Sequence, residues 1–300
     1  MKKIYLFVVV SVVCFRTVAQ QDPIYAQYIA DPVVMNPAFT GANERFNAGI
    51  QYRTQWAGVD GNPVTYNFKS NIALVDNKVG VGIVVIQDKI GDNRTTEFNT
   101  AYSYKIKLSQ STFSFGLQAG VVRISNDLTQ LRIRDDNDPN FRFYNEMKFN
   151  TGAGVLLKGN RYLVGFSVPR LLPVSISQGG QSIQMYNRNF YFIGAYEFPL
   201  TDRLHLRPTT LLRITSGASI SADIGLNLNI ENLYQPGIFT RNLNTYGVLF
   251  QMLVSHYRFG YVFEFPASQA SSLRFTSHEL TLGVSLAVLE FHDRSKLKFQ

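Results

Sequence analysis

Side chains able to do chemistry are sparse in this chain, and their spacing limits what they can do. Four histidines, His205, His256, His278 and His292, lie far apart, and the one cysteine, Cys14, sits near the start. A zinc site needs His and Cys at short, regular spacing, so no metal is expected. Neither a Gly-x-Ser-x-Gly elbow nor a Gly-x-x-x-x-Gly-Lys phosphate loop occurs. The densest constellation is Arg203, His205, Arg207 and Arg213, with Thr209 and Leu211 between. Alternate residues of a strand share a face, so these would form one basic ladder. It reads either as an anion-selective or substrate-binding lining or as a brace paired with Asp223, Glu264 or Glu97. Bracing is the expectation, because a row of unpaired guanidinium groups repels itself.

Other candidates are weaker. Asp135-Asp136-Asn137-Asp138 offers oxygen ligands but lacks the spacing and closing Glu of a calcium loop. A solvated acidic loop, neutralised by Arg132 and Arg134, is the better reading. Ser277-His278-Glu279 is poor as catalysis, since neighbours on a strand point to opposite faces, and it marks the start of the last strand. Gly80/Gly82 and Gly116/Gly120 share strand faces, where they suit curvature or close packing. No enzyme and no cofactor are expected.

The elements that must position these residues are strands. Phe98, Thr100, Tyr102, Tyr104, Ile106 and Leu108 alternate with Glu97, Asn99, Ala101, Ser103, Lys105 and Lys107. That is a strand with one oily and one polar face. The same reading predicts strands at 45–54, 63–74, 78–88, 95–108, 112–124, 147–158, 161–169, 188–198, 203–214, 218–230, 234–241, 245–255, 257–265 and 277–290. Pro236 weakens the strand at 234–241 because it cannot donate to a ladder. Connections alternate: long at 55–62, 89–94, 125–146, 170–187 and 266–276, and tight at 75–77, 109–111, 159–160, 199–202 and 256. Residues 216–217 and 242–244 are short where the alternation predicts long.

An even strand count with long loops on one side describes a transmembrane antiparallel up-and-down β-barrel of the outer-membrane type, about fourteen strands. A soluble sandwich or lipocalin-like barrel would turn the apolar faces inward. A fourteen-stranded barrel has a backbone diameter of about 28 Å, too wide for side chains to fill. The apolar faces are better spent on lipid, and closure pairs every edge. Tyr102, Tyr104, Tyr196, Tyr246, Tyr257 and Tyr261 lie on those faces, several near strand ends, as interfacial girdles do.

Residues 1–19 have the layout of a cleaved signal peptide: Lys2 and Lys3, an apolar stretch too short to span a bilayer, then Thr17-Val18-Ala19. A mature chain without them has no cysteine, and its excess of basic over acidic residues is five. Lys and Arg are scattered singly, which argues against nucleic acid. The expected organisation is a periplasmic or lumenal segment at 20–44, a barrel at 45–290 and an extension at 291–300. Residues 21–41, QDPIYAQYIADPVVMNPAFTG, hold three prolines and no steady period. The Asp-Pro and Asn-Pro steps impose extended and turn geometry. This segment reads either as a clip or plug docked on the barrel or a partner, or as a lead-in pinning the first strand.

Gln21-Asp22-Pro23, Gln27-Tyr28 and Asn36-Pro37-Ala38-Phe39-Thr40-Gly41 resemble the N-terminal signature of the PorP/SprF family, outer-membrane proteins of Bacteroidetes type IX secretion and gliding. The resemblance continues through Tyr52-Arg53-Thr54-Gln55-Trp56, Gly80-Val81-Gly82, Asp88-Lys89-Ile90-Gly91 and Ser277-His278-Glu279-Leu280. Two departures are Asp31, where the family usually has Asn before Pro32, and residues 291–300 beyond the final strand. The resemblance implies an outer-membrane barrel that partners type IX cargo, surface adhesins with C-terminal sorting domains, in export or anchoring. For some relatives it also implies a periplasmic peptidoglycan-binding protein. Partner-binding candidates are Asp22, Pro23, Tyr28, Asn36, Pro37 and Gly41, with Phe141, Phe143 and Tyr144 as anchors in the first long loop. The alternative is a channel for small polar or anionic solutes, lined by Arg203, His205, Arg207 and Arg213.

Overall fold

Apolar side chains face outward and polar ones inward. In the computed structural model Ile50, Tyr66, Phe68, Phe98, Tyr102, Leu117, Leu226 and Leu282 are exposed, while Gln51, Asn67, Lys69, Asn99, Gln118 and Thr281 are buried. That inversion is the signature of a lipid-facing barrel with a polar lumen, and all six girdle tyrosines are on its outer surface. The structure describes residues 28, 32–126, 143–178, 181–216, 218–267 and 275–292.

Two 3-10 turns, Pro32–Val34 and Pro37–Phe39, precede the strands. The strands are β1 Phe46–Thr54, β2 Val64–Leu74, β3 Val79–Ile90, β4 Asn93–Lys107, β5 Ser111–Asn126, β6 Asn145–Gly159, β7 Tyr162–Val168, β8 Val174–Gln178, β9 Gln181–Tyr186 and β10 Asn189–Tyr196. They continue with β11 Phe198–Pro199, β12 Leu204–Thr215, β13 Ser221–Ile230, β14 Tyr234–Arg241, β15 Thr245–Val254, β16 Tyr257–Pro266 and β17 Ser277–Leu286. Fifteen join in one sheet, in which the two-residue β11 only edges an inner turn, leaving fourteen spanning strands. Each pairs antiparallel with its neighbours, and β1 closes on β17 from Phe46↔Leu286 to Thr54↔His278. The remaining two, β8 and β9, form a separate hairpin in the outer connection after β7.

All fourteen predicted segments correspond to spanning strands. The prolines fit because each lies where a ladder is interrupted. Pro208 falls between the β10 and β11 pairings of β12, and Pro236 falls in a gap of the β13–β14 register. Two connections and the end of the last strand differ from expectation. The β3–β4 connection is a two-residue turn, not a long loop, because that ladder runs to Ile90↔Asn93 and Gly91 takes φ 56°. Residues 174–186 form a hairpin rather than plain loop. The last strand ends at Leu286, where Ser285 N–H donates to His256 O and the chain turns under the rim.

Candidate functional site

The inner face of β2–β7 carries one row of small residues, set by strand pairing. Ala73 lies opposite Gly80, Gly80 opposite Ser103, Ser103 opposite Gly116, Gly116 opposite Gly154 and Gly154 opposite Ser167. Barrel strands tilt, so such a row climbs the wall. Ala73 and Gly80 adjoin their strands' inner ends at Leu74 and Val79, whereas Gly116 and Gly154 lie well inside Ser111 and Gly159.

Residues 35–41 lie along this row. Asn36 caps the second 3-10 turn by accepting from Ala38 N–H at 2.9 Å, with Pro37 supplying the fixed φ of the first position. Its Nδ2 donates to the wall carbonyl of Val155 at 3.0 Å. Ser167 donates to Met35 O at 2.7 Å and Ser103 to Thr40 O at 2.6 Å. Gly41, at φ 66°, donates its N–H to Asn71 Oδ1 at 3.1 Å and packs on Gly80. A Cβ at Gly80, Gly116 or Gly154 would collide with Thr40, Ala38 or Asn36 respectively. The expected close packing of Gly80 and Gly116 is therefore against this segment, and Gly120 is tight against Phe98 and Asn99 of β4.

Charged groups tie the segment at the inner mouth. Lys105 donates to Gly41 O at 2.5 Å and Lys158 to Ala42 O at 3.0 Å. Buried Glu44 accepts from Asn77 Nδ2 at 3.2 Å and attracts both lysines. His292 spans from Val288 N–H to Ala73 O. With Nδ1 accepting, Nε2 donates, so this ring is the neutral Nε2–H tautomer. Deeper in, Tyr28 is buried with its hydroxyl 3.4 Å from Thr209 Oγ1, and burial pushes its phenol up. Asp22 and Pro23 lie outside the described residues.

At the outer end the β8–β9 hairpin lies against the inward face of β5. Val174 and Ile176 bury against Val122 and Ile124 of β5, joined by Tyr144, Met185 and Tyr186. Arg170 pairs with Glu97 and stacks 4.8 Å over the Tyr186 ring. Gln118 Nε2 holds Pro169 O at 2.8 Å, and Asn150 Nδ2 holds Leu172 O at 2.7 Å. Of the loop candidates, Phe143 is 68% exposed, Tyr144 is half-buried against the hairpin, and Phe141 and residues 135–138 lie outside the described residues.

Three members of the basic ladder pair with carboxylates, though with others than expected. Arg207 pairs with Glu197, His205 Nδ1 meets the same carboxylate at 2.7 Å, and exposed Arg203 meets Glu231 at 3.1 Å. Asp223 and Glu264 are taken by Arg241 and Arg53, and Glu97 by Arg170: register sets Arg241 opposite Asp223, Arg53 reaches Glu264 past β17, and Arg170 reaches in from the connection after β7. Arg213 is buried. Glu279 points inward to Arg53 at 3.1 Å, whereas adjacent His278 points outward to the Tyr261 hydroxyl at 2.8 Å, as a strand requires. Among the described residues no three His, Cys, Asp or Glu side chains gather as a metal site.

A family profile for the type IX secretion system membrane protein PorP/SprF matches residues 17–284. The chain belongs to the PorP/SprF family. No match was found among curated protein sequences. Among solved structures, the PorP/SprF chain is similar to the CymD monoaromatic hydrocarbon channel, with TM-score 0.51 and 8% identity over 88% of this chain and 94% of that one. The Ralstonia pickettii toluene transporter TbuX gives 0.49 and 9%, covering 85% and 93%, and Acinetobacter baumannii Omp33 gives 0.48 and 7%, covering 81% and 98%. At 8% identity the likeness to CymD concerns fold alone, and with the closed antiparallel barrel described above it is a likeness of outer-membrane barrels. The lysines, serines and glycines that seat residues 35–44 were not singled out as a site in the sequence. Their only signal there is smallness or charge on an inward face.

Proposed function

We propose that the protein is a closed outer-membrane platform that holds a type IX cargo at the surface or assists its export, and is neither an open pore nor an enzyme. One observation carries this reading: the lumen is occupied from the inner mouth by residues 32–44 and from the outer side by the β8–β9 hairpin. A filled lumen leaves the outer loops as the surface for a large partner. Phe143, with Phe141, supplies aromatic anchors of the kind that dominate interfaces. The inner mouth, where residues 32–44 meet the turn before His292, suits a periplasmic partner such as a peptidoglycan-binding protein. Delivery through a cleaved leader at 1–19 completes the reading, and gliding is one process such a platform serves.

The channel reading, for small polar or anionic solutes, draws on the polar inward faces and Arg203, Arg207 and Arg213; the hydrocarbon-channel neighbour is alike in fold only. Two measurements on one preparation separate them. Tagged full-length protein, purified from its native outer membrane in mild detergent with cargo expressed, is expected to bring down a large protein bearing a C-terminal sorting domain. The same preparation is expected to show no steady current in planar bilayers. A partner-free barrel with a steady open current overturns the proposal.

A further inference from the structure

We propose, on the platform reading above, that the open edge of β9 takes up an extended strand of the cargo as a third strand of the β8–β9 hairpin. Closure gives every spanning strand a partner on both sides, whereas β8 and β9 pair only with each other. Apart from the two-residue β11, they are the described strands that keep an open edge.

Register decides which backbone groups face that edge. Gln178 pairs with Gln181 across a two-residue connection, so these two residues exchange both hydrogen bonds. Bonded and non-bonded pairs then alternate: Ile176↔Ile183 is bonded, while Ser177↔Ser182 and Ser175↔Gln184 are not. The N–H and C=O of Ser182 and Gln184 therefore point away from β8. No other backbone segment among the described residues bonds to them, and Gln184 is exposed. The one irregularity lies at the root, between Val174 and Ser175, and leaves Gln181–Gln184 in even register.

The edge also lacks protection. Natural sheet edges are guarded against a further strand by charges, prolines or a covering element. Residues 174–186, VSISQGGQSIQMY, hold no charged side chain and no proline. Val174 and Ile176 anchor the hairpin on Val122 and Ile124 of β5, so the edge is held in place while its donors and acceptors stay in reach. Such an edge recognises one chemistry, an extended peptide backbone whose own N–H and C=O groups continue the ladder.

Position selects the partner. Tyr144 packs in one cluster with Met185 and Tyr186, which sets its neighbour Phe143, 68% exposed, beside the hairpin. The open edge and this aromatic anchor thus belong to one outer surface. A cargo segment laid along β9 gains backbone bonds at Ser182 and Gln184 and an apolar contact at Phe143.

The test compares two substitutions at one position. Gln184→Pro removes the outward N–H but costs the hairpin no bond, since Gln184 does not donate to β8. Gln184→Ala keeps the backbone donor. Tagged full chains are purified from their native outer membrane in mild detergent, with and without cargo expressed; heat-modifiable electrophoretic mobility checks folding. The parent and Gln184→Ala are expected to bring down a protein bearing a C-terminal sorting domain and to exchange amide hydrogens more slowly over residues 181–186 when it is bound. Gln184→Pro is expected to lower its recovery tenfold or more. Full recovery with Gln184→Pro, equal loss with Gln184→Ala, or unchanged exchange in the complex overturns strand addition and leaves the platform reading standing. A parent that brings down no cargo overturns both. A cargo-free dimer that Gln184→Pro dissociates assigns the edge to a second copy and overturns the proposal.

Discussion

The wall built from β3–β7 and the wall built from β12–β17 with β1 face one lumen and fill it by different means. The first yields space: its inward row is Gly80, Ser103, Gly116, Gly154 and Ser167, and a backbone lies in the furrow. The second keeps its side chains and pairs them, Arg53 with Glu264 and Glu279, and Arg241 with Asp223 and Glu264. Holding a plug by its backbone requires wall donors without bulk, which Ser, Asn and the tips of lysines supply. Holding a bare wall requires buried charges to neutralise one another, since an unpaired one inside costs several kcal/mol. One wall is thus shaped around residues 35–41, whereas the other braces itself with ion pairs and meets the N-terminal segment through side chains, as at Thr209 of β12 and Tyr28.

The comparison breaks most visibly at Arg53. Its guanidinium is 1% exposed and serves two buried carboxylates. Arg53→Met is expected to destabilise the barrel by about 3–5 kcal/mol, the usual cost of stranding a buried charge. Urea unfolding followed by heat-modifiable mobility reads it. Recovery is expected on adding Glu279→Gln, because Arg241 still serves Glu264. A double variant as unstable as the single one would mean that packing, not charge, makes this wall depend on Arg53.

Gly116→Val tests the other wall. A β-branched residue suits a strand, but here its Cβ takes the place of Ala38. Overpacking costs about 1–3 kcal/mol, and the strain is expected to fall on the plug rather than the barrel. Limited proteolysis should then cut within residues 32–44 while mobility stays that of a folded barrel, and bilayer conductance should rise. Gly283→Val, on the self-paired wall, is expected to change neither.

How much of this was legible follows from what carries each feature. Period two in Glu97 to Leu108 is a property of one strand, so the strands, their faces and the closed barrel could be read from the sequence. The furrow is a property of five strands in register, and Gly80, Gly116 and Gly154 become neighbours only through pairing. Asn36-Pro37 announced a turn, but its seat on Val155 needed the fold. The hairpin at 174–186 was passed over although Val174-Ser175-Ile176-Ser177 alternates and Gly179-Gly180 is a hairpin-turn signal, because strands of five and six residues are too short to span a membrane and sit inside a long outer connection. The partners of Arg207 were misassigned for the same reason as the furrow: Glu197 is ten residues away in sequence but comes adjacent only through the turn between β10 and β12.

The smallest effect separates ion pairs that hold the self-paired wall from those that only trim its rim. Glu197 lies in the inner turn, where burial pushes its carboxyl up, but hydrogen bonds from His205 and Arg207 and their charges outweigh that and hold it below the ordinary glutamate value. A carboxyl depressed in the folded state stabilises that state in full above the unfolded value, about 4.3. This contribution drains as pH falls through the lower folded value. Thermal unfolding of the parent protein should therefore lose ground below about pH 4 relative to Glu197→Gln, and the two curves should converge in acid. At neutral pH the Gln variant should be the less stable, by less than Arg53→Met, because Gln keeps an oxygen that can accept from Arg207 although the pair is buried. If the gap at neutral pH matched that of Arg53→Met, the inner turn would belong to the load of the wall, and the division between braced core and trimmed rim would fail there.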